Sequence, residues 1–257
     1  MRRNILCRPL IALAALVALP AAADPVMTIT SDDVVLFGDT YYSDLDESTP
    51  LVLLFHQGGS NARGEYSEIA AWLNDNGFRA IAWDLRSGGD MFDSTNRTVE
   101  GLNPDVSTDY CDGYPDLEAA LDYVHDNYLA ETVIVWGSSY SGALVFQLAN
   151  TRPDYVSAVI AFSPASGGPM VDCKAALWLG GVHVPIAVYT PEREMELPHV
   201  VVQADQLTLR GARVFTVENG VHGSSMLVDE RTQHDMDSAR EDVLAWLRRA
   251  SGTGDER

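Results

Sequence analysis

Two hydrophobic periods take turns along the chain. Val26 to Thr30 and Asp33 to Tyr42 alternate apolar with polar around Ser31-Asp32, which predicts an antiparallel opening hairpin. Leu51-Val52-Leu53-Leu54-Phe55 is an unbroken apolar run of strand length, the pattern of a strand covered on both faces. From Arg63 to Asn76 the apolar residues Ile69, Ala70 and Leu73 fall at helical spacing, and Gly77 stops the run. Phe78 to Trp83 predicts the next strand and Pro115 to Tyr128 a helix with Leu117, Leu121 and Val124 on one face. Thr132 to Trp136 predicts a strand and Tyr140 to Thr151 a helix. Val156 to Phe162, Val184 to Tyr189 and Ala212 to Val217 predict three more strands. A helical stretch around Asp205 separates the last two, and Val228 to Ala250 predicts a closing helix.

Strand–helix alternation repeated this often calls for a mostly parallel sheet with helices on both faces. Ligands of such sheets sit at the carboxyl ends of the strands, so the loops there carry the expected chemistry. The first is His56-Gln57-Gly58-Gly59-Ser60, whose glycines leave backbone N–H groups open to a ligand. The next is Asp84-Leu85-Arg86-Ser87-Gly88-Gly89. After Trp136 comes Gly137-Ser138-Ser139-Tyr140-Ser141-Gly142, a strand–turn–helix with serine at its apex. Ser139 stands where a G-x-S-x-G nucleophile stands, with Ser141 in place of the second glycine. The later loops carry Glu192 and Glu194, then His222 in Gly220-Val221-His222-Gly223. A serine hydroxyl needs a base, and the base needs a carboxylate to hold its tautomer. Singly, His222 reads as an exposed histidine, His56 as a structural hydrogen-bonder and the glutamates as solvated loop charges. Serine, acid and histidine in that order, each beyond a different strand, read as a catalytic set.

This order resembles the α/β-hydrolase superfamily, in its serine carboxylesterase and dienelactone-hydrolase-like branches. The resemblance spans nearly all of the chain after residue 23. It implies a three-layer α/β fold with an antiparallel N-terminal hairpin and a mostly parallel twisted sheet. A large lid domain is not expected, because only Ser163 to His183 lie between the sixth and seventh strands. By resemblance, Ser139 is the nucleophile, His222 the base, and Gly58 and Tyr140 the donors of oxyanion N–H groups. His56-Gln57 departs from the family's His-Gly pair and leaves Gln57 as an alternative donor. The D-x-R-G-x-G-like turn at Asp84 implies a structural role. The acid is implied at Glu194, about nine residues beyond Pro185, with Glu192 the alternative. Ser163 to Gly168 and Trp178 are expected to line the substrate pocket. No cofactor is implied.

Composition narrows the setting. Of the 257 residues, 1–23 read as an export leader: a basic start (Met1-Arg2-Arg3, Arg8), an apolar stretch Leu10 to Leu19, and Ala21-Ala22-Ala23 for cleavage. Its apolar stretch is too short for a membrane anchor. Residues 24–257 are expected to form a single domain in the periplasm or outside the cell. The formal net charge is −20, and loss of the leader's three arginines makes it −23. Such a field disfavours nucleic acid and anionic lipid as partners. Export leaves Cys111 and Cys173, for which an oxidising compartment predicts a disulfide. No cysteine or histidine cluster has the spacing of a metal site. These features together point to an exported serine hydrolase of small to medium carboxylic esters. The alternatives are a serine peptidase of the same fold and a catalytically inactive binding protein built on it.

Overall fold

The opening hairpin pairs β1 (Asp24–Ile29) with β2 (Val35–Tyr41), Ile29 lying opposite Val35. Thr30 closes the reversal: its carbonyl accepts the Asp33 N–H at 3.1 Å and its hydroxyl accepts the Val34 N–H at 2.9 Å. The structure is a computed structural model and describes residues 23–41, 45–127 and 129–253. The expected leader lies outside these residues, Ala23 apart.

β2 runs antiparallel to β4 (Arg79–Asp84), and all later pairings are parallel. β3 (Leu51–Phe55) lies between β4 and β5 (Val133–Ser138), followed by β6 (Ala158–Phe162), β7 (Ile186–Pro191) and β8 (Arg213–Val217). The eight strands stand in the order β1-β2-β4-β3-β5-β6-β7-β8. The helices are α1 (Ala62–Asp75), α2 (Arg97–Glu100), α3 (Tyr114–Asp126), α4 (Tyr140–Thr151), α5 (Pro198–Leu209), α6 (Asp229–Thr232) and α7 (Asp237–Ala250). Side chains along β3 alternate between the two faces. Leu51, Leu53 and Phe55 belong to the core on the face that α3, α4 and α5 cover, whereas Val52 and Leu54 belong to the core on the face of α1 and α7. The continuous apolar run of β3 is therefore two interleaved core faces, each side chain worth about 1.5–3 kcal/mol of burial.

The expected closing helix over 228–250 is two helices. Gln233 adopts a left-handed conformation (φ 61°) and ends α6. The Asp229 carboxylate then accepts the Met236 N–H at 2.9 Å and the Arg240 guanidinium at 2.8 Å. The break thus satisfies its own polar groups, and α7 starts afresh at Asp237.

Between β6 and β7 the chain makes three short 3₁₀ turns, Gly168–Met170, Ala175–Leu177 and Leu179–Gly181, and forms no lid domain. A disulfide joins Cys173 of this connection to Cys111 of the 3₁₀ turn Tyr110–Gly113, with Cα atoms 5.6 Å apart. The bridge closes a loop spanning 62 positions, worth about 4 kcal/mol in the chain-entropy account. Cys111→Ser with Cys173→Ser is expected to lower the thermal midpoint by roughly 10 °C, read by calorimetry. An unchanged midpoint would show the bridge to be thermodynamically idle.

Candidate active site

Ser139 sits between β5 and α4 with φ 60° and ψ −117°, a region that costs a non-glycine residue about 1–3 kcal/mol. Three backbone hydrogen bonds hold it there. Its N–H donates to the Phe162 carbonyl at 2.8 Å, and its own carbonyl accepts Ala165 N–H at 2.9 Å and Ala143 N–H at 3.2 Å. A Cβ at Gly137 would lie 2.4 Å from the Ser141 carbonyl oxygen and 2.6 Å from Gly142 Cα, so strand and helix meet this closely only with glycine there.

Ser141 replaces the second glycine of the usual pattern and has work of its own. Its buried hydroxyl donates to the Phe55 carbonyl at 2.7 Å and accepts the Ser138 N–H at 2.9 Å. The turn is thereby tied to the end of β3, where the loop His56 to Ser60 begins. The Ser139 hydroxyl carries no hydrogen bond to any described residue.

His222 follows β8 and donates from Nδ1 to Glu194 Oε1 at 2.6 Å. The next two residues lock the loop onto the ends of β6 and β5. Gly223 N–H donates to Ser163 Oγ at 3.1 Å, and Ser224 N–H donates to Ser138 Oγ at 2.9 Å. Burial alone would lower the His222 pKa; the hydrogen bond and charge of Glu194, with a smaller push from Glu65, outweigh it and raise it above the ordinary 6.5. Glu192 is exposed, and its backbone N–H pairs with the Val217 carbonyl at 3.1 Å. Of the two glutamates, Glu194 is the one joined to the histidine.

The loop after β3 distinguishes its amides as clearly. Gln57 N–H is committed to Glu65 Oε2 at 2.9 Å, and Gly59 N–H to the Ser87 carbonyl at 3.1 Å. Gly58 N–H has no acceptor among the described residues. Tyr140 opens α4, where an N–H has no carbonyl within the helix to meet. Glu65 is fully buried, and desolvation pushes its pKa upward. His56 is equally buried: Nδ1 donates to the Gln57 carbonyl at 2.8 Å and Nε2 accepts the Leu85 N–H at 2.8 Å. Desolvation lowers its pKa to about 4, so it is a neutral tie between two loops. The Asp84 turn is structural too. Asp84 accepts the Ala62 N–H and Arg97 Nε, each at 2.7 Å, and Arg86 Nε donates to buried Asp116 at 2.9 Å.

Residues 46–233 match the family of serine aminopeptidases, S33. The chain belongs to this α/β-hydrolase family. No curated protein matches its sequence. Among solved structures, an esterase from Pyrococcus furiosus superposes with a TM-score of 0.66 at 14% identity, over 95% of this chain and 97% of that one. Est1E from Butyrivibrio proteoclasticus gives 0.65 at 14% identity, over 87% of this chain and 98% of the other. A dienelactone hydrolase from Anabaena variabilis gives 0.60 at 19% identity, over 88% and 98%. At these identities the likeness is one of fold.

Within this α/β-hydrolase, one expected pocket residue is elsewhere. The Trp178 carbonyl accepts from Asn150 Nδ2 at 2.8 Å, near the C-terminal end of α4. That end lies about 16 Å along the helix from Ser139, and Trp178 packs there against the α3–α4 core. Two residues that organise the site carried no clear sequence signal, Ser138 and Glu65.

Proposed function

We propose that this protein is an exported serine hydrolase that cleaves small to medium carboxylic esters through an acyl-enzyme on Ser139. The reading rests chiefly on the 2.6 Å bond from His222 Nδ1 to Glu194, on a loop tied by Ser224 to Ser138 beside the nucleophile. Glu194 holds the proton on Nδ1, which leaves Nε2 as the basic nitrogen. Ser139 Oγ attacks the ester carbonyl carbon and its proton passes to His222 Nε2. The tetrahedral oxyanion is stabilised by the N–H groups of Gly58 and Tyr140. Collapse expels the alcohol, which takes the proton back from His222. Water, deprotonated by the same nitrogen, then releases the acid and frees Ser139. Export is supported by the leader-like N-terminus and by the Cys111–Cys173 bridge. Among the described residues no helix is long and apolar enough to cross a membrane.

The family's description favours a second reading, a peptidase acting from the same residues. Labelling with a fluorophosphonate, located by peptide mapping, tests the mechanism: adduct on Ser139 is expected, and an unlabelled protein would point to an inactive scaffold. Turnover of a nitrophenyl ester against an aminoacyl anilide then separates esterase from peptidase. Anilide cleavage as fast as ester cleavage would overturn the first reading.

A pH dependence follows from the same pair. His222 acts as base only when neutral. Since Glu194 raises its pKa, activity should fall away as pH drops through a value above 6.5. The acid limb of kcat/KM should move downward in Glu194→Gln. An acid limb that stays in place in the variant would detach it from this histidine.

A further inference from the structure

Tyr110 opens the 3₁₀ turn that carries Cys111. Its ring stacks on the buried ring of Tyr140, with centroids 4.7 Å apart and planes 14° apart. Its phenol end lies against Gly58. A Cβ built on Gly58 would fall 2.4 Å from Tyr110 Oη and 2.9 Å from Cε1 and Cζ. Tyr110 therefore touches both residues whose N–H groups are open, one through its ring and the other through its hydroxyl.

The hydroxyl itself has no hydrogen-bond partner among the described residues. The backbone amides on either side of Gly58 are already engaged. Gln57 N–H is held by Glu65, and Gly59 N–H by Ser87. An O–H and an open N–H side by side can both donate to one ligand oxygen. Such a site accommodates an oxygen bearing negative charge.

We propose that Tyr110 is a catalytic residue whose hydroxyl donates a hydrogen bond, beside the N–H groups of Gly58 and Tyr140, to the oxyanion of the tetrahedral intermediate. This rests on the reading that Ser139 forms an acyl-enzyme. The proton stays on Tyr110 throughout; the bond shortens as charge builds on the carbonyl oxygen and relaxes as the intermediate collapses. The disulfide at the neighbouring Cys111 and the stack on Tyr140 fix the ring before substrate arrives, so donation requires no rearrangement in the transition state. The contact also explains glycine at position 58: any side chain there would displace the phenol.

Tyr110→Phe is the test, because phenylalanine keeps the stack and the wall over Gly58 and removes only the hydroxyl. That hydroxyl has no partner in the folded chain, so the thermal midpoint should be unchanged. With a nitrophenyl ester, kcat should fall roughly 10- to 100-fold while KM changes little, somewhat less than the loss of a well-placed donor elsewhere. Affinity for a trifluoromethyl ketone, which forms a tetrahedral adduct on the serine, should fall in parallel. Unchanged kcat, or a loss confined to KM, would make Tyr110 a wall of the cleft and overturn the proposal. Fluorophosphonate labelling of the wild-type protein keeps the two readings apart. If wild-type Ser139 is not labelled, the acyl-enzyme reading has failed. If it is labelled and Tyr110→Phe turns over like the wild type, only the role of Tyr110 has failed.

Discussion

Ser139→Ala is expected to abolish ester hydrolysis, with a loss on the order of 10⁶-fold in kcat by comparison with other serine triads. His222→Ala should cost about the same, and the double variant little more, because nucleophile and base act as one unit. The fold should survive. The Ser139 hydroxyl makes no hydrogen bond in the folded chain, and the three bonds that hold its backbone come from main-chain atoms that alanine retains. The neighbouring serines should behave in the opposite way. Ser141 Oγ links β3 to the turn and Ser138 Oγ anchors Ser224. Truncating either leaves buried partners unpaired and should lower stability by about 1–3 kcal/mol, while Ser139 remains able to be acylated. The measurement is single-turnover hydrolysis of a nitrophenyl ester alongside thermal unfolding. Substantial turnover by Ser139→Ala would transfer the nucleophile to another residue and end this assignment.

What could be read before the structure divides along a physical line. β3, β5 and α4 were legible because burial on both faces writes a continuous apolar run, and a run of that length has few alternatives. The order of Ser139, Glu194 and His222 was legible for a related reason: parallel sheets confine functional loops to one edge, so position along the chain carries spatial information. The break at Gln233 was not legible, because Asp229 compensates it through its own side chain and the apolar spacing continues across it. Trp178 was misplaced because a tryptophan in a short connection looks the same whether it faces a cleft or packs at the far end of α4. Glu65 and Tyr110 were hidden for a different cause. Each acts through a backbone group of the loop after β3, and a contact with a main-chain N–H or Cα leaves no pattern in side-chain type. Even the choice between Gln57 and Gly58 depended on such a contact. The Glu65 carboxylate takes the Gln57 N–H at 2.9 Å and leaves Gly58 as the amide without an acceptor.

Glu194→Gln should lower kcat by several orders of magnitude, about 10⁴-fold by comparison with the equivalent change in a well-characterised triad. The geometry explains why so similar a side chain fails. Glu194 Oε1 only accepts, so His222 must hold its proton on Nδ1, 2.6 Å away, and Nε2 is left with its lone pair. An amide at position 194 can turn its NH₂ toward Nδ1. That stabilises the other tautomer, with the proton on Nε2, where it blocks removal of the Ser139 proton. The amide also brings no charge to stabilise the imidazolium that forms next. Glu192→Gln removes neither property. Its side chain is exposed, and its two described ties, the backbone N–H to the Val217 carbonyl and the carbonyl from Met195 N–H, each at 3.1 Å, are independent of side-chain identity. Turnover should therefore stay within about twofold of wild type, as for most surface changes distant from the chemistry. Both variants should label with fluorophosphonate at very different rates while unfolding at nearly the same temperature. A large loss in Glu192→Gln together with a small one in Glu194→Gln would mean that the histidine changes partners in the working enzyme. The acid would then be Glu192, reached by a rearrangement of the turn after β7.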